Sequence, residues 1–312
     1  MTLREAIQLG EEKLQASGIS DYKLDSFYLL EYVSGISRAK YYAQEHQKIS
    51  KEEQEKYFSL IEKRCKRIPL QHLTGTQEFM GLPFQVSPHV LIPRQDTELL
   101  VETALEVMRK LKDKYSQQKN SKFREETWSI LDMCTGSGCI LISTLRYGKE
   151  IFPNLTGTGV DISIKALENA KKNAQTNGLT EATFIQSDLF KDLSTKPKYE
   201  LILSNPPYIP TGEIAKLEEE VKSHDPLLAL DGKEDGLYFY RKIIKQSIDY
   251  LEDGGILIFE CAWNQGMEIS KMMKEQGFTD VEVIKDLAGL DRVVLGKYTY
   301  SPHPKLSKIS PS

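Results

Sequence analysis

The chain has 312 residues, room for roughly two domains of ordinary size, with 40% hydrophobic and 28% charged residues, a globular usage that excludes disordered, collagen-like and coiled-coil chains. Its 41 basic and 45 acidic residues leave a net charge of −4, which offers no general footprint for phosphate-dominated nucleic-acid binding. The longest apolar stretch, residues 255–259, is far too short for a bilayer, and residues 1–5 hold no signal core, so a cytoplasmic protein is expected.

The first seventy residues read as helical. Thr2 and Glu5 form a capping box ahead of Leu3, Ala6, Ile7 and Leu14, with Gly18 as the stop. A second helix runs from Asp21 through Leu24, Phe27, Leu30 and Val33 to Gly35. Ser50 and Glu53 open a third, which carries Tyr57, Phe58, Ile61 and Cys65 and ends in the basic run 63–67. Cations at a helix C-terminus suit the macrodipole, so this run is expected to be solvated rather than to hold a partner. Between residues 74 and 92 short apolar pieces are broken by Gly75, Gly81, Pro83 and Pro88, the pattern of a hairpin or extended connector. Asp96 is placed to cap a helix carrying Leu99, Leu100, Thr103, Ala104 and Val107, and residues 112–126 read as a polar loop.

Beyond that loop strands alternate with helices. The strands are expected at 128–132, 157–161, 182–186, 200–204, 255–260, 281–284 and 293–296, with helices at 163–176 and 237–251 among the segments between them. Alternation of this kind implies right-handed crossovers and a doubly wound, mostly parallel seven-stranded sheet. The last two strands are too close for a crossover helix and should pair antiparallel. The expected organisation is a helical domain over 1–73, a connector over 74–92, an α/β domain over 93–300 and a loose tail over 301–312. The four cysteines lack C-x-x-C spacing and the five histidines are scattered, which argues against a metal or disulfide framework.

The chemistry concentrates after the strands. Cys134-Thr135-Gly136-Ser137-Gly138 forms a glycine turn between the first strand of the sheet and a helix, where a ligand can approach the backbone. It is neither a dinucleotide fingerprint nor a phosphate loop. Asp161 closes the second strand, where an acid can accept both ribose hydroxyls. Asp188 and Leu189 follow the third, where an acid and an apolar side chain can serve an adenine. Each aspartate alone could be a helix cap; the series points to an adenosine-containing cofactor without a phosphate anchor.

The fourth strand runs into Asn205-Pro206-Pro207-Tyr208. Proline keeps the residue before it extended, so the Asn205 amide oxygen and the Pro206 carbonyl project in fixed directions as two acceptors for one planar NH₂ group. Tyr208 supplies a face against which a flat amide or base can pack. Amide nitrogens are poor nucleophiles because their lone pair is delocalised. Two acceptors that favour a pyramidal nitrogen free that pair and stabilise the charge that develops.

These motifs together resemble class I S-adenosylmethionine-dependent methyltransferases. More narrowly, with Pro69-Leu-Gln-His-Leu-Thr-Gly75, Leu91-Ile-Pro-Arg-Gln-Asp-Thr-Glu98 and Gly289-Leu-Asp-Arg-Val-Val-Leu-Gly296, they are similar to the HemK/PrmC family of N5-glutamine methyltransferases. The resemblance covers about residues 3 to 298. It implies S-adenosylmethionine on residues 134–138, Asp161, Asp188 and Leu189, with Asn205 beside it and no metal. The substrate implied is the glutamine of the Gly-Gly-Gln loop of peptide chain release factors, held at Asn205, Pro206, Pro207 and Tyr208, with Asn205, Pro206 and Tyr208 carrying the transfer. The helical domain would help to hold the release factor, and Arg94 and Glu98 would neighbour the pocket. No membrane or direct nucleic-acid partner is implied. Cys134 stands where the family usually has a glycine, which requires that the turn keep a negative φ there. Glutamine methylation of a ribosomal protein and amino-methylation of adenine in DNA or RNA use the same tetrad logic. The second would need base flipping and a basic reading surface. A binding module that has kept the fold is a further alternative, contradicted by an intact tetrad and ribose acid.

Overall fold

A computed structural model describes residues 1–116 and 127–300. It opens with five helices: α1 (Leu3–Ala16), α2 (Tyr22–Ser34), α3 (Arg38–Gln44), α4 (Lys51–Cys65) and α5 (Leu70–Thr74). Both expected capping boxes form. Thr2 and Ser50 accept from the N–H groups of Glu5 and Glu53, and each glutamate accepts in return from the backbone of its cap. Leu3, Ala6, Ile7 and Leu14 of α1 join Phe27, Leu29 and Leu30 of α2 and Tyr57, Leu60 and Ile61 of α4 in one core. Each Leu, Ile or Phe side chain among them contributes about 1.5–3 kcal/mol when fully buried. The Tyr57 hydroxyl shares a 2.6 Å hydrogen bond with Ser26 beneath Gly10, where a Cβ would collide with that hydroxyl.

The expectation of a solvated basic run fails at Arg64. This side chain is buried, its Nε donating to Asp25 at 2.7 Å and its Nη1 to Glu220 at 2.8 Å. Arg67 turns back at φ +66° and donates to the carbonyls of Ser17 and Gly18. The end of α4 therefore ties the helical module to the segment carrying Glu220. Sequence gives no warning, because the partners lie far away in the chain.

The connector contains the expected hairpin, β1 (Thr76–Phe79) paired antiparallel with β2 (Leu82–Gln85). A 3-10 turn at Gln95–Thr97 leads into α6 (Glu98–Ser116). Asp96 does not cap this helix. It lies inside the turn, whose N-cap position is Arg94, and pairs with Arg292 at 3.1 Å. The first residues of the expected polar loop are helical, since α6 runs to Ser116. The rest of that loop and the tail from 301 lie outside the described residues.

The sheet is built from β3 (Trp128–Met133), β4 (Leu155–Asp161), β5 (Ala182–Gln186), β6 (Tyr199–Ser204), β7 (Leu251–Glu260), β8 (Thr279–Lys285) and β9 (Asp291–Lys297), in the order β5-β4-β3-β6-β7-β9-β8. Strands β3 to β7 are mutually parallel, while β9 runs antiparallel to both β7 and β8. Helices α7 (Cys139–Gly148) and α8 (Ile164–Thr176) make the first crossovers. A 3-10 turn at Thr211–Lys216, α9 (Glu219–His224), α10 (Leu227–Leu230) and α11 (Tyr238–Ser247) lie between β6 and β7, and α12 (Gly266–Glu275) precedes β8. Two apolar layers cover the sheet. One includes Leu100, Ala104 and Met108 of α6 with Ile140 and Leu141 of α7; the other includes Tyr240, Ile243 and Ile244 of α11 with Ile269 and Met273 of α12. Among the described residues no helix is long and apolar enough to cross a membrane. The chain winds outward from β3 in one direction through β4 and β5, and in the other through β6 and β7. The switch point therefore lies between β3 and β6, where open α/β sheets bind ligands.

Candidate active site

A cavity of about 430 Å³ opens at that switch point, lined by Cys134–Ser137, Asp161, Asp188, Leu189, Asn205 and Pro207. Its far walls come from the connector (Pro88 to Pro93), from Pro226, Leu228 and Ala229 around α10, and from Tyr238, Phe239 and Lys242 of α11. Nine of the twelve residues expected to hold cofactor or substrate thus share one space. Gly138, Pro206 and Tyr208 do not line it.

The floor is the turn after β3. The Thr135 N–H donates to Val160 at 2.9 Å and the Gly138 N–H to Thr135 at 2.8 Å, which folds the turn back onto β4. Buried Asp132 accepts from the Thr135 hydroxyl at 2.6 Å, and burial pushes its carboxyl up to about 7. Cys134 corrects the sequence reading. Its φ is +63°, the left-handed conformation that a side chain disfavours by about 1–2 kcal/mol. The turn's own hydrogen bonds and the strand register impose that conformation whatever residue stands there. Burial and the neighbouring carboxylates of Asp161 and Asp132 hold its thiol well above the ordinary range, so it is no nucleophile. Gly138, at φ +81°, starts α7 where a Cβ would stand 2.9 Å from Ile142 and 3.1 Å from Ala170 of α8.

Asp161 ends β4 with both oxygens engaged at one point each: Oδ2 accepts the Gly136 N–H at 2.9 Å and Oδ1 the Ser163 N–H at 2.8 Å. Burial raises its carboxyl against those bonds. It is thus a turn residue and a cavity residue at once, with lone pairs still unused. Asp188 is exposed at the rim, and Leu189, at φ +53°, is buried against the interior. A nucleoside fits this donor set. There are carboxylates for hydroxyl and amino groups, a glycine backbone that permits close approach, apolar and aromatic faces in Leu189 and Phe239, and a volume within the usual ligand range.

Asn205 stands across the switch point, where β6 leaves the sheet beside β3, and the Ser204 hydroxyl donates to the Met133 carbonyl at 2.7 Å. The Asn205 amide nitrogen donates to the Thr97 hydroxyl at 3.4 Å, which leaves Oδ1 as the group free to accept. Tyr208 ends the tetrad and does not line the cavity. Its carbonyl accepts from Gln265 at 3.0 Å, and a Cβ on Gly232 or Gly236 would collide with its backbone. Arg94 lines the cavity and pairs with buried Asp225 at 2.7 Å, while Glu98 accepts the Met80 N–H at 2.6 Å and faces the hairpin instead. Sequence reasoning missed Thr97, Leu228 and the face of α11. Thr97 stands inside the segment 91–98 without a role of its own, Leu228 and α11 carry no motif, and only the tertiary fold brings all three to the cavity.

The description PrmC N-terminal domain matches residues 5–75, and that of a methyltransferase domain matches residues 124–293. The chain is similar to a release factor glutamine methyltransferase of Clostridium botulinum, 38% identical over 299 residues that cover 94% of this chain and 98% of that protein. It is similar also to one of Geobacter sulfurreducens, 35% identical over 296 residues, 95% of this chain and 96% of the other. Among solved structures, a protein-(glutamine-N5) methyltransferase (release factor-specific) from Alicyclobacillus acidocaldarius is 27% identical, spanning 70% of this chain and 100% of its own, at a TM-score of 0.39.

Proposed function

The chain belongs to the family of release factor glutamine methyltransferases, and from that premise we propose that it methylates the side-chain amide nitrogen of the glutamine in the Gly-Gly-Gln motif of a peptide chain release factor. The observation that supports this reading most is the shared cavity: the glycine turn with Asp161 on one wall and Asn205 with Pro207 on the other.

S-adenosylmethionine, when bound, supplies an electrophilic methyl group on a sulfonium sulfur. Asp161 would accept its ribose hydroxyls, Asp188 and Leu189 would hold its adenine, and Cys134, Thr135, Gly136, Ser137 and Gly138 would provide the backbone beneath it, Gly138 by starting α7 rather than by contact. Asn205 Oδ1 and the Pro206 carbonyl would each accept one hydrogen of the substrate amide, turning its lone pair toward the methyl group and favouring the charge that grows on nitrogen. Tyr208 would pack against that amide, and Pro207 would bound the slot. No general base is needed, because the nitrogen becomes acidic only as the new bond forms and its proton can leave to water afterwards. The helical module over 1–73 would hold the body of the release factor, the connector over 74–92 would cover the cavity, and 93–300 would carry the chemistry.

The test is peptide mass mapping of a bacterial release factor incubated with the protein and S-adenosylmethionine. One added methyl on the Gly-Gly-Gln peptide, lost with Asn205→Ala while cofactor binding persists, is the expected result. A fully active Asn205→Ala protein would overturn the assignment.

A further inference from the structure

One buried side chain joins two walls of the cavity from behind. Asn173, in the last turn of α8, is fully buried. Its Oδ1 accepts the Gln85 N–H at 2.7 Å, while its Nδ2 donates to the Gln85 carbonyl at 3.0 Å and to the Ser137 carbonyl at 2.9 Å. Asn169 Oδ1, one turn earlier on the same helix, also lies 3.0 Å from that nitrogen. Gln85 ends β2 of the connector, and Ser137 belongs to the glycine turn; they lie 88 and 36 residues from Asn173 in the chain.

Main-chain groups cannot exchange donor for acceptor, and this fixes the amide. Its two hydrogens go to the two carbonyls, while half-buried Asn169 can turn to solvent. The Gln85 N–H can only donate and must meet Oδ1. A flipped Asn173 would set its oxygen against two carbonyl oxygens in a buried place, where such a mismatch is costly. One orientation therefore satisfies the connector and the turn together.

Both partners lead into the cavity. Ser137 lines it. From Gln85 the connector continues through Val86, which packs with Val90 and with Ala166 of α8, into Pro88, His89 and Leu91 of the far wall. The apolar contact of Val86, Val90 and Ala166 is non-directional; the directed tie between wall and floor is Asn173. We infer, resting on the S-adenosylmethionine reading above, that Asn173 is a positioning residue for cofactor binding: it clamps the connector to the glycine turn, so that the wall stands in place before the cofactor arrives. Without the clamp, a connector seated only about a tenth of the time would bind the cofactor about tenfold more weakly.

Asn173→Ala tests this in the full chain. Calorimetric titration should show affinity for S-adenosylmethionine down about tenfold or more, with faster cofactor release in stopped-flow displacement. Under conditions in which the variant stays folded, a loss of stability by itself leaves this affinity unchanged. Asn177, one turn further along α8, gives the comparison: its side-chain nitrogen donates to the Pro83 carbonyl of the same hairpin at 3.0 Å and to the Asn173 carbonyl at 2.9 Å, not to the glycine turn. Asn177→Ala should change the affinity by less than about threefold. Unchanged affinity in Asn173→Ala, or an equal loss in Asn177→Ala, overturns the proposal. Amide hydrogen exchange in the cofactor-free protein reads the clamp without a ligand. The N–H groups of Val86 and Val90 donate within the connector region, to Gly75 and Ser87, and should exchange faster in Asn173→Ala as the wall unseats; equal protection in both proteins refutes the clamp. If the wild type binds no S-adenosylmethionine, the cofactor reading fails, and the exchange at Val86 and Val90 still decides the role of Asn173. Should Asn173→Ala not fold, Asn173→Ser carries a hydroxyl whose one hydrogen cannot join both carbonyls: weaker cofactor binding there supports the proposal, and unchanged affinity refutes it.

Discussion

Two glycines of one turn should fail in different ways when given a methyl group. At Gly138 the backbone has φ +81°, and the new Cβ would stand 2.9 Å from Ile142 Cδ1 and 3.1 Å from Ala170 Cβ, both packed where α7 meets α8. The left-handed conformation costs about 1–2 kcal/mol for alanine, and overpacking between two helices adds about 1–3 kcal/mol. Gly138→Ala should therefore lose roughly 2–5 kcal/mol of stability. At Gly136, with φ +53°, the nearest atom to a Cβ is the Cys134 carbonyl oxygen at 4.0 Å, so the methyl group enters the open cavity that Gly136 lines. Gly136→Ala should lose only about 1–2 kcal/mol of stability, but should occupy space meant for the cofactor. Urea denaturation of each variant, paired with calorimetric titration of S-adenosylmethionine, separates the two effects. We expect Gly138→Ala to carry the larger shift in denaturation midpoint, and Gly136→Ala to bind the cofactor about tenfold more weakly, a change of about 1.4 kcal/mol. Equal midpoints in the two variants, or undiminished affinity in Gly136→Ala, would refute the reasoning.

Asp161→Ala removes the acceptor for the Gly136 and Ser163 N–H groups, so calorimetry should show cofactor affinity falling before any effect on release-factor affinity. Asp132, raised to about 7 from 3.8 by burial, is protonated in both states at low pH and destabilises the fold as it ionises. Asp132→Asn should accordingly flatten the decline of stability between about pH 4 and 7, measured by denaturation across that range. Arg64→Met strands Asp25 in the interior beside Glu220, an uncompensated charge worth about 3–5 kcal/mol. Because burial already raises Asp25, that deficit should be full at neutral pH and should shrink as acid protonates the group in both states; a deficit independent of pH would count against it.

How far the sequence was readable varies with the range of the forces involved. The seven strands fall within a few residues of their expected places because apolar runs bounded by turns are a local signal, and the capping boxes at Thr2 and Ser50 form because their partners are three residues away. The tetrad and the glycine turn are legible for the same reason. Asp96 misleads because its partner, Arg292, arrives from β9, and Arg64 because Asp25 and Glu220 come from two separate elements. Helices α3, α5, α9 and α10 span four to seven residues and cannot display a helical period. Cys134 is the most instructive case. A side chain's distaste for positive φ is weaker than the combined demand of the Thr135 and Gly138 hydrogen bonds, so the local rule yields to the turn.

One device recurs around the cavity. Asp132 ends on the Thr135 hydroxyl and Asp161 on the Gly136 and Ser163 N–H groups. Each carboxylate stands at or next to the C-terminal end of its strand, each is pushed up by burial, and each faces a polar group that belongs to the site. An apolar residue in these places would serve stability better, since the charged forms are desolvated. What an acceptor-only group provides is direction: it fixes which way a hydroxyl, an amide or a turn must point. A site that has to hold one flat amide nitrogen against one methyl group needs that direction more than it needs the lost stability. The same reasoning explains why the acids sit beneath and behind the reacting groups rather than among them.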